Sequence, residues 1–449
     1  MRTQKYLLLI AMVSLTNSLL ADSKAANLRC EFLINPIGID TQHPRLTWSM
    51  NDNRRGALQS AYQIFVGTDS AQVCAGIGDL WATGKINSGD METEYNGSQL
   101  KPFTHYFWIV KIWDNWGITS SESNVAGFET GMMETKNWSG SWISDSRDIH
   151  LKPAPLFRKT FNINRKILSA RAYVAAAGLF ELYINGQKIG DHRLDPMYTR
   201  FDRRTLYVTH DLTQLVKSGE NAVGVMLGNG WYNHQSTAVW YFDQAPWRAR
   251  PRFCLEIRIT YSDGTVETIA SGTEWKTSLG SVVFNSIYTG EHVDGRLFQP
   301  GWNSPGFDDS KWGNAIPVNA PALNIVAETL HPIRDVEEIT TKKMTKISDS
   351  HYIFDLGRNI SGVSQLKVNG TEGTVIRLKH GERLGPDGMV DQSNIDVHYR
   401  PTDQLDPFGT DIYTLRGDGD EIFKPRFNYK GFQYVEVISD KPVVLKKES

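Results

Sequence analysis

Strand-like alternation of apolar and polar residues runs through this chain and constrains its fold more than any other feature. β-Branched and aromatic residues recur at every second position in Ala61–Val66, Tyr106–Ile112, Phe180–Ile184, Phe253–Tyr261 and Tyr434–Ile438. A period of two places successive side chains on opposite faces of a strand. No sustained helical period appears, and we expect only short helices, at residues 212–217 and 307–312. The sequence therefore predicts an all-β fold with helix in fewer than about 10% of residues.

Turn dipeptides separate the predicted strands. Asn185-Gly186 lies between ELYI and QKIG, and an Asn-Gly pair between two strands is the strongest short hairpin signal. Asp263-Gly264 follows RITYS, and Asp387-Gly388 follows HGERLGP. Asn185-Gly186 therefore predicts a hairpin, and the other two dipeptides predict turns between strands.

Length and charge narrow the class of protein. A chain of 449 residues exceeds one hydrophobic core, and about 150 residues per domain predicts roughly three domains. Forty-eight basic and 50 acidic residues give a formal charge of −2, so no basic excess is available to neutralise phosphates. Nucleic acid is therefore excluded as an expected partner. The aromatic content of 11%, with 13 Trp, suits both sandwich cores and the apolar faces of sugar rings.

The N-terminus has the pattern of a signal peptide. Arg2 and Lys5 precede or flank the apolar run Tyr6–Val13, and the small residues Ala21 and Ala25 follow. We expect cleavage within residues 21–26, a signal peptide over residues 1–25, and export to the periplasm or the extracellular space. No later stretch approaches the ~18 apolar residues of a transmembrane helix, so no membrane span is expected.

Three cysteines, Cys30, Cys74 and Cys254, are too few and too scattered for a disulfide framework or a zinc site. Cys30 and Cys74 can pair in an oxidising compartment, but we favour buried free thiols. The histidines His210, His234 and His292 also lack metal-binding spacing.

Composition places three blocks along the mature chain, at residues 27–131, 140–332 and 335–440. Phe128-Glu129-Thr130-Gly131 closes the first block, and Pro317 and Pro321 mark a loop or linker near the second junction. Short strands at sandwich spacing predict tandem β-sandwiches. Each block is long enough to bury a core of its own.

The second block holds the most informative loop. Residues 228–233, GNGWYN, combine flexible glycines with two amides and two aromatic rings, which is what a sugar site requires. We identify Asn229, Trp231 and Tyr232 as candidate carbohydrate-binding residues; the alternative is that Trp231 closes the edge of the sandwich. The nearby Trp240, Tyr241 and Trp247 are expected to form a packed cluster rather than a second stacking platform.

Two acids in YTGEHVDGR extend this candidate site. Glu291 and Asp294 are expected to be turn or surface carboxylates rather than catalysts, as are Asp308 and Asp309. As ligands, Glu291 and Asp294 can hold sugar hydroxyls or a calcium ion, because calcium prefers hard oxygen donors. Calcium is therefore the one cofactor that we consider.

Longer motifs carry a resemblance to a known family. The second block contains INGQKIG, then THDLT and GENAVGVMLGNGWY, and later IYTGEHVDGR and PGFDDSKW. In this order it resembles the N-terminal domain of bacterial α-L-rhamnosidases, a galactose-binding-like jelly roll. The first block, from LRCEFLINPIGIDTQHPRLTWSM to YFWIVKIWDNWG, resembles that family's fibronectin-III-like module. The third, with FDLGRNISGVSQLKV and FNYKGFQYVEV, resembles its concanavalin-like β-domain.

The resemblance implies a role in the hydrolysis of rhamnosides without implying turnover by this chain. In that family the chemistry resides in a helical (α/α)6 barrel downstream of the β-domains, whereas this sequence ends at Ser449. Inverting glycosidases need an acid and a base about 6.5–9.5 Å apart, and no family catalytic glutamate maps onto this chain. We therefore expect no activity from the chain alone, and we expect a truncated product or one part of a split enzyme.

Three functions follow from these expectations. The first is the non-catalytic part of an exported α-L-rhamnosidase-like glycoside hydrolase that acts on terminal α-L-rhamnose of plant-type glycosides or polysaccharides. Its expected partners are a rhamnose-containing glycan and a separate helical catalytic domain. The second is a free-standing rhamnose-binding, lectin-like module. The third is a structural adhesion protein, which the specialised loops of the second block disfavour.

Overall fold

The computed structural model describes residues 23–120, 122–236 and 238–445. Residues 1–22 of the predicted signal peptide lie outside the described residues. About 45% of the protein is strand and 3% is helix, which confirms the predicted all-β fold. The described residues form two compact units. Among them, no helix has the length and apolar character needed to cross a membrane.

The first unit comprises the described residues up to Pro36, with Gln42–Leu100 and His105–Glu129. Strands β1-β3-β6 form one sheet and β8-β7-β4-β5 line up in another, around the buried rings of Tyr106, Trp108 and Phe128. The elements through this part of the chain are β1 (Lys24–Cys30), β2 (Ile37–Ile39, a segment of the second unit), β3 (Arg45–Asn51), β4 (Gln59–Gly67), α1 (Ser70–Cys74), β5 (Trp81–Ala82), β6 (Glu92–Glu94), β7 (His105–Asp114) and β8 (Ala126–Thr130).

The second unit contains residues 37–41, residues 101–104 and the chain from Thr130 onward. Its earlier elements are β9 (Ile143–Ser144), β10 (Pro155–Ile163), β11 (Ile167–Ala177), β12 (Leu179–Ile184), β13 (Gln187–Lys188), β14 (His192–Arg193), β15 (Thr205–Asp211), β16 (Gly219–Gly228), β17 (Arg252–Tyr261), β18 (Val266–Ala270), β19 (Lys276–Leu279), β20 (Val282–Asn285), β21 (Glu291–Asp294), β22 (Gly313–Asn314), β23 (Ile316–Pro317), β24 (Ile325–Ala327) and β25 (Ile333–Arg334). Short 3₁₀ turns cover Thr135–Asn137, Phe242–Gln244 and Gly295–Leu297.

The remaining strands of the second unit are β26 (Lys343–Ser348), β27 (His351–Gly362), β28 (Leu366–Asn369), β29 (Val375–Gly381), β30 (Arg383–Leu384), β31 (Val390–Asp391), β32 (Thr410–Thr414), β33 (Asp420–Phe423), β34 (Lys430–Ser439) and β35 (Val444–Leu445). All five segments with a period of two lie in strands, namely β4, β7, β12, β17 and β34. The strand predictions at these positions are confirmed.

Two sheets build the sandwich that follows the first unit in sequence. One has the order β13-β12-β16-β10-β19-β22, and the other has the order β23-β9-β17-β11-β15-β24 with β18 beside β17. Phe157, Phe253 and Trp275 meet edge to face between them, with ring centroids 5.1 and 5.4 Å apart. All three rings are fully buried. Each stabilises the core by a few kcal/mol, since burial of a large apolar side chain contributes roughly 1.5–3 kcal/mol.

The predicted turn dipeptides form hairpins. Asn185 and Gly186 both have positive φ, 52° and 86°, and they join β12 to β13 in the geometry that Asn-Gly favours. Gly264, with φ of 81°, joins β17 to β18, and Gly388, with φ of 80°, joins β30 to β31. The hairpin prediction at Asn185-Gly186 and the turn predictions at the other two dipeptides are therefore confirmed.

Both helix predictions were wrong. Residues 212–217 form hydrogen-bonded turns, because the carboxylate of Asp211 accepts hydrogen bonds from the amide and hydroxyl of Thr213, which closes a local turn. Residues 307–312 are also turns and irregular backbone. The α-helix that the structure does contain is the five-residue α1, whose first turn is capped by Asp69.

The C-terminal part of the second unit has a seven-stranded sheet in the order β20-β21-β32-β29-β34-β27-β26 and a three-stranded sheet in the order β33-β28-β35. The hairpin β20–β21, residues 282–294, precedes this part in sequence by about fifty residues yet forms one side of its larger sheet. Strand β21 runs parallel to β32, with His292 beside Ile412 and Asp294 beside Thr414. The hairpin thus joins chain from the second block to the sheet of the third.

Candidate functional site

The GNGWYN loop begins where β16 ends, and its first asparagine is a buried connector. The Asn229 amide donates to Asn285 Oδ1 at 2.6 Å, and Asn229 Nδ2 donates to the Asn285 carbonyl at 3.0 Å. Asn285 pairs with Glu291 across the β20–β21 hairpin. The structure therefore brings the Asn229 loop and the Glu291 hairpin together, as the sequence predicted for two loops of one site. It does so through buried backbone contacts rather than through an open cleft.

The two aromatic residues of the loop differ in exposure. Tyr232 is buried, and its ring packs edge to face on Phe201 with centroids 5.0 Å apart. Trp231 is partly buried, stacked on His234 at 5.4 Å and tilted against Phe242 at 5.0 Å. Trp231 thus supports neighbouring rings, while Tyr232 belongs to the core. Their roles as sugar contacts stay predictions.

Glu291 lies in a fully buried, hydrogen-bonded position. Its Oε2 accepts from the backbone amides of Arg426 at 3.0 Å and Phe427 at 2.9 Å. Desolvation outweighs these bonds and the Arg426 charge, so the pKa of Glu291 rises to about 7. Within the described part of the chain, Glu291 Oε1 reaches no hydrogen-bond partner. An acid held in this way joins the hairpin to residues 426–427.

Asp294 is occupied by its own turn. Its carboxylate accepts two bonds from the Arg296 side chain, at 2.9 and 2.7 Å, and it caps the 3₁₀ turn at Gly295–Leu297. Arg296 holds the pKa of Asp294 below its usual range. A guanidinium at this distance occupies the oxygens that calcium would require, so Glu291 and Asp294 as arranged do not fit a calcium site. Among the described residues, no cluster of three or more His, Cys, Asp or Glu side chains is placed to hold a metal ion.

The other predicted acids and cysteines also have defined surroundings. Asp309 pairs with the buried Arg158, and Asp308 accepts the amide of Ser310 at 3.0 Å to close a turn. Cys30, Cys74 and Cys254 are free thiols, and Cys74 is exposed rather than buried.

A group of exposed rings lies beside the predicted loop, and we name Tyr198, Trp240 and Tyr241 the aromatic surface. Their exposed fractions are 50%, 41% and 64%. Phe242 lies behind them, 6.4 Å from Tyr198 and 5.0 Å from Trp231, and Trp231 is 6.2 Å from Trp240. The expected packed cluster is present in part: Trp240 contacts the rings of Trp231, Tyr288 and His398, and Trp247 contacts Phe242. Trp240 and Tyr241 nevertheless remain partly open to solvent.

The loop backbone presents these rings at a conformational cost. Tyr241 has φ of 55°, in the left-handed region that a bulky L-residue rarely adopts, directly before the 3₁₀ turn at Phe242–Gln244. Such a conformation costs roughly 1–3 kcal/mol and persists where the surroundings enforce it, often at functional sites. The strain turns the Tyr241 ring outward beside Trp240. This conformation is typical of a binding loop.

Two other segments of the same unit contact Trp240 and its neighbour Val239. The Val239 amide donates to the His398 carbonyl at 3.0 Å, and the Trp240 ring lies 5.2 Å from the His398 ring and 4.7 Å from Tyr288. Among the described residues, the buried hydroxyl of Tyr288 has no hydrogen-bond partner.

Both neutral and charged groups surround the aromatic surface at pH 7. Burial lowers the pKa of His234, which stacks on Trp231, to about 4, so the ring carries no charge. Burial raises the pKa of Asp406 to about 6, and its carboxylate accepts a hydrogen bond from Thr289 at 2.5 Å. Exposed aromatic faces with polar neighbours suit the apolar face of a sugar ring. The signal in the sequence was the density of rings in residues 231–247, which does not reveal which rings face solvent.

The fold and this site define a multidomain β-sandwich protein whose second unit carries exposed rings on two loops, residues 194–204 and 229–251. Profiles of three known domains match the chain. They are the α-L-rhamnosidase N-terminal domain over residues 165–337, the Rha78A-like N-terminal immunoglobulin domain over residues 25–134, and the bacterial α-L-rhamnosidase concanavalin-like domain over residues 345–448. The chain is therefore built from domains of the bacterial α-L-rhamnosidase family.

Individual relatives agree with these profiles. An α-L-rhamnosidase of Formosa agariphila is 31% identical over 439 residues, which covers 91% of this chain and 45% of the relative. The structure of the α-L-rhamnosidase from Dictyoglumus thermophilum is 35% identical with a TM-score of 0.83, over 94% of this chain and 48% of that protein. The Streptomyces avermitilis α-L-rhamnosidase, solved in complex with L-rhamnose, is 25% identical with a TM-score of 0.85, over 95% of this chain and 57% of that protein.

The chain spans about half the length of the relatives that it matches. The resemblance stated from sequence motifs is confirmed, and so are the tandem β-sandwich fold and its concanavalin-like domain.

Proposed function

We propose that this chain supplies the carbohydrate-binding β-sandwich portion of an exported α-L-rhamnosidase-like glycoside hydrolase. Its ligand is terminal α-L-rhamnose on plant-type glycosides or polysaccharides. The observation that carries the proposal is the aromatic surface of Tyr198, Trp240 and Tyr241, exposed on domains of the rhamnosidase family. The relative from Streptomyces avermitilis, solved with L-rhamnose, supports the choice of sugar.

Stacking explains why a deoxy sugar suits this surface. The C–H groups on one face of a pyranose, and the methyl group of rhamnose, are apolar and pack on the exposed indole of Trp240. Polar groups beside the rings then meet the sugar hydroxyls. Net hydrogen bonds to neutral groups contribute about 0.5–1.5 kcal/mol each, so the dissociation constant should lie in the micromolar-to-millimolar range.

We further propose that this portion binds the glycoside and does not cleave the glycosidic bond. The acids that the sequence analysis considered near the site already have other partners. Glu291 is fully buried and accepts two amides, Asp294 binds Arg296, and Asp309 binds Arg158. Glycoside hydrolysis needs one acid facing the leaving oxygen and a second facing water. Neither role is open to a buried or ion-paired carboxylate.

Affinity electrophoresis tests the binding role. Gels cast with a rhamnose-rich polysaccharide should retard the parent protein, whereas gels cast with a glucan should not. Trp240→Ala and Tyr241→Ala should migrate freely in both gels. Trp116→Ala is the matched control, because Trp116 is an equally exposed tryptophan of the first unit, 51% open to solvent. Equal retardation of the parent, Trp240→Ala and Tyr241→Ala would remove the aromatic surface from the proposal.

A parallel assay tests the non-catalytic role. The purified protein, incubated with an aryl α-L-rhamnoside, should release no rhamnose above the level of a buffer blank. Release that co-purifies with the protein and is lost in Glu291→Gln would overturn this part of the proposal and return Glu291 to a catalytic role.

A lectin-like module is the second candidate, and it is favoured by the fact that one chain supplies every ring of the aromatic surface. Co-elution with a separately produced helical catalytic domain of a relative separates the two. A stable complex with raised turnover supports the enzyme portion, while rhamnose binding without complex formation supports the lectin.

A further inference from the structure

A serine and a buried histidine meet at the C-terminal sheet, outside the aromatic surface. Ser364 lies in the irregular segment between β27 and β28, and His380 lies on β29. Ser364 Oγ is 2.9 Å from His380 Nε2. His380 is 1% exposed, whereas Ser364 is partly exposed. The hydroxyl therefore stands between a buried imidazole and the surface.

The hydrogen bond made by His380 Nδ1 determines whether His380 Nε2 carries a proton. His380 Nδ1 is 3.0 Å from the carbonyl oxygen of Gly409. A carbonyl accepts but does not donate, so Nδ1 carries the proton and Nε2 presents its lone pair to the Ser364 hydroxyl. Burial, with the charge of Lys430, lowers the pKa of His380 to about 4, so the ring is neutral at pH 7. The tautomer is the one in which a histidine accepts a proton from serine.

A buried carboxylate lies beside the same nitrogen. Asp411 Oδ2 is 3.9 Å from His380 Nε2, and Lys430 Nζ binds both Asp411 oxygens at 2.7 and 2.8 Å. Although burial opposes ionisation, Lys430 and His380 hold the pKa of Asp411 below its usual range. An anion at this distance offsets part of the charge that an imidazolium would carry. The edge of Phe432 packs on the ring at 4.7 Å and fixes its plane.

Ser364 lines a groove of about 1250 Å³ that Phe432 also lines. Apolar side chains form much of the lining, among them Leu194, Phe354, Leu356, Leu366 and Leu378. The charged part of the lining has five cations and three acids, namely Arg193, Arg334, Arg358, Lys367 and Lys424 with Asp335, Glu337 and Glu338. The backbone amides of residues 363–365 lie outside the strands. Amides beside a nucleophile are the donors that an oxyanion requires.

We propose that Ser364 and His380 form a serine–histidine dyad that hydrolyses small acyl esters of saccharide hydroxyls, an activity beyond the proposed binding function. The apolar lining accepts the acyl chain, and the polar and charged part of the groove accepts the alcohol. Nucleophile, base and orienting carbonyl have the relation that such catalysis needs.

The reaction balances with water as its co-reactant. Ser364 Oγ attacks the carbonyl carbon while its proton passes to His380 Nε2. The carbon–oxygen bond to the alcohol then breaks, and the alcohol leaves with that proton. Water attacks the acyl-serine, giving one proton to Nε2, and the carboxylic acid departs as the proton returns to Ser364 Oγ. One complete turnover returns the dyad to its starting protonation state.

Covalent labelling of the unaltered protein is the first test. After incubation with diisopropyl fluorophosphate, mass spectrometry of the digested protein should place one diisopropylphosphoryl adduct on the peptide that contains Ser364, formed by attack of Ser364 Oγ on phosphorus with loss of fluoride. This measurement does not depend on the folding of any variant. An unlabelled Ser364 under conditions that label a known serine esterase would overturn the proposal.

Turnover of p-nitrophenyl acetate is the second test. Loss of a nucleophile or general base typically costs 10²–10⁴-fold, so Ser364→Ala should lower the rate above buffer by at least about 100-fold. Ser310→Ala is the matched control, because Ser310 is an exposed serine of the same unit that lies outside the lining of the groove. It should retain the parent rate within about twofold. Equal rates in the parent and Ser364→Ala would contradict the proposal.

Discussion

Glu291 shows how one buried side chain couples distant segments of the chain. It accepts amides from Arg426 and Phe427, and its Oε1 is 4.0 Å from Arg426 Nη1. Arg426 also pairs with the buried Glu181 at 3.3 Å. Two carboxyl groups therefore share one guanidinium, and burial keeps the pKa of Glu291 at about 7. The fold favours the protonated form of this acid more than water does.

The raised pKa of Glu291 determines how the stability of the protein changes with pH. A pKa raised above its unfolded value of about 4.3 contributes stability that is fully present below pH 4.3 and is lost as the pH rises through 7. Between pH 5.5 and 7.5, the titration of Glu291 should lower the free energy of unfolding of the parent by on the order of 1–2 kcal/mol. Glu291→Gln keeps an acceptor for the two amides and cannot ionise, so its unfolding free energy should change less over the same interval.

Urea unfolding at the two pH values measures the effect. The exposed Glu372→Gln should follow the parent and serves as the control. Glu328 and Asp406 also have raised pKa values, about 7 and 6, so the variant should retain part of the slope. An identical pH dependence in the parent and Glu291→Gln would mean that the buried carboxyl is not the titrating group.

At the residue scale, the sequence predicted the region of the candidate site, but it did not predict which side chains are exposed there. It selected Asn229, Trp231 and Glu291, which the structure places close together or in linked positions. It did not predict that Trp240 and Tyr241 are the exposed rings. Exposure depends on the left-handed backbone of Tyr241 and on the distant His398, and neither follows from local composition.

Strand β16 contains two glycines, Gly224 and Gly228, in the segment GVMLG, because a larger side chain would meet a neighbouring ring at either position. A Cβ on Gly224 would lie 2.8 Å from the Trp302 ring, and a Cβ on Gly228 would lie 2.6 Å from the Phe427 ring. The outer face of the strand is therefore covered by other segments of the unit. The strand is buried on both faces, which explains why its apolar run shows little alternation.

Gly228→Ala tests this contact. The added methyl group must displace the Phe427 ring, so the variant should lose about 1–3 kcal/mol of unfolding free energy, as overpacked cores do. Gly313→Ala, in β22 of the same sheet, is the control, since the nearest atom to its added Cβ is 3.9 Å away. Thermal unfolding of both variants gives the comparison. A Gly228→Ala variant as stable as Gly313→Ala would contradict the close packing of Phe427.

At the element scale, prediction succeeded where local pattern determines structure. The Asn185-Gly186 hairpin and the five alternating strands follow from residues that adjoin one another. It failed at residues 212–217, where the Asp211 side chain closes a turn in place of a helix. It also gave no sign that β21 pairs with β32, because pairing of strands more than a hundred residues apart leaves no local pattern.

On the scale of the whole molecule, the β20–β21 hairpin determines which part of the second unit can fold by itself. Residues 282–294 complete the sheet that begins again at β26. The apolar core of this part also takes in Leu156, Met226 and Trp302 from the earlier strands. Sequence blocks and packed cores therefore do not coincide in this unit.

A fragment of residues 335–445 should consequently fail to fold. It lacks the partner of β32 and leaves an open strand edge with the buried Asp411 and Lys430 beside it. The protein of residues 23–445 should resist limited proteolysis and show dispersed amide resonances, whereas the fragment should be digested rapidly and show collapsed dispersion. Cooperative unfolding of the isolated fragment would show that the hairpin is dispensable.

The central claim is that this β-sandwich portion binds rhamnose through the aromatic surface. Calorimetric titration of the protein with L-rhamnose tests it most directly, with Trp240→Ala beside the parent and Trp116→Ala as the control. The parent and Trp116→Ala should bind with a dissociation constant between about micromolar and millimolar, and Trp240→Ala should bind about tenfold more weakly or not at all, since the stacked face is lost. Binding of equal strength in the parent and Trp240→Ala, or no heat of binding in the parent at millimolar sugar, would contradict the claim.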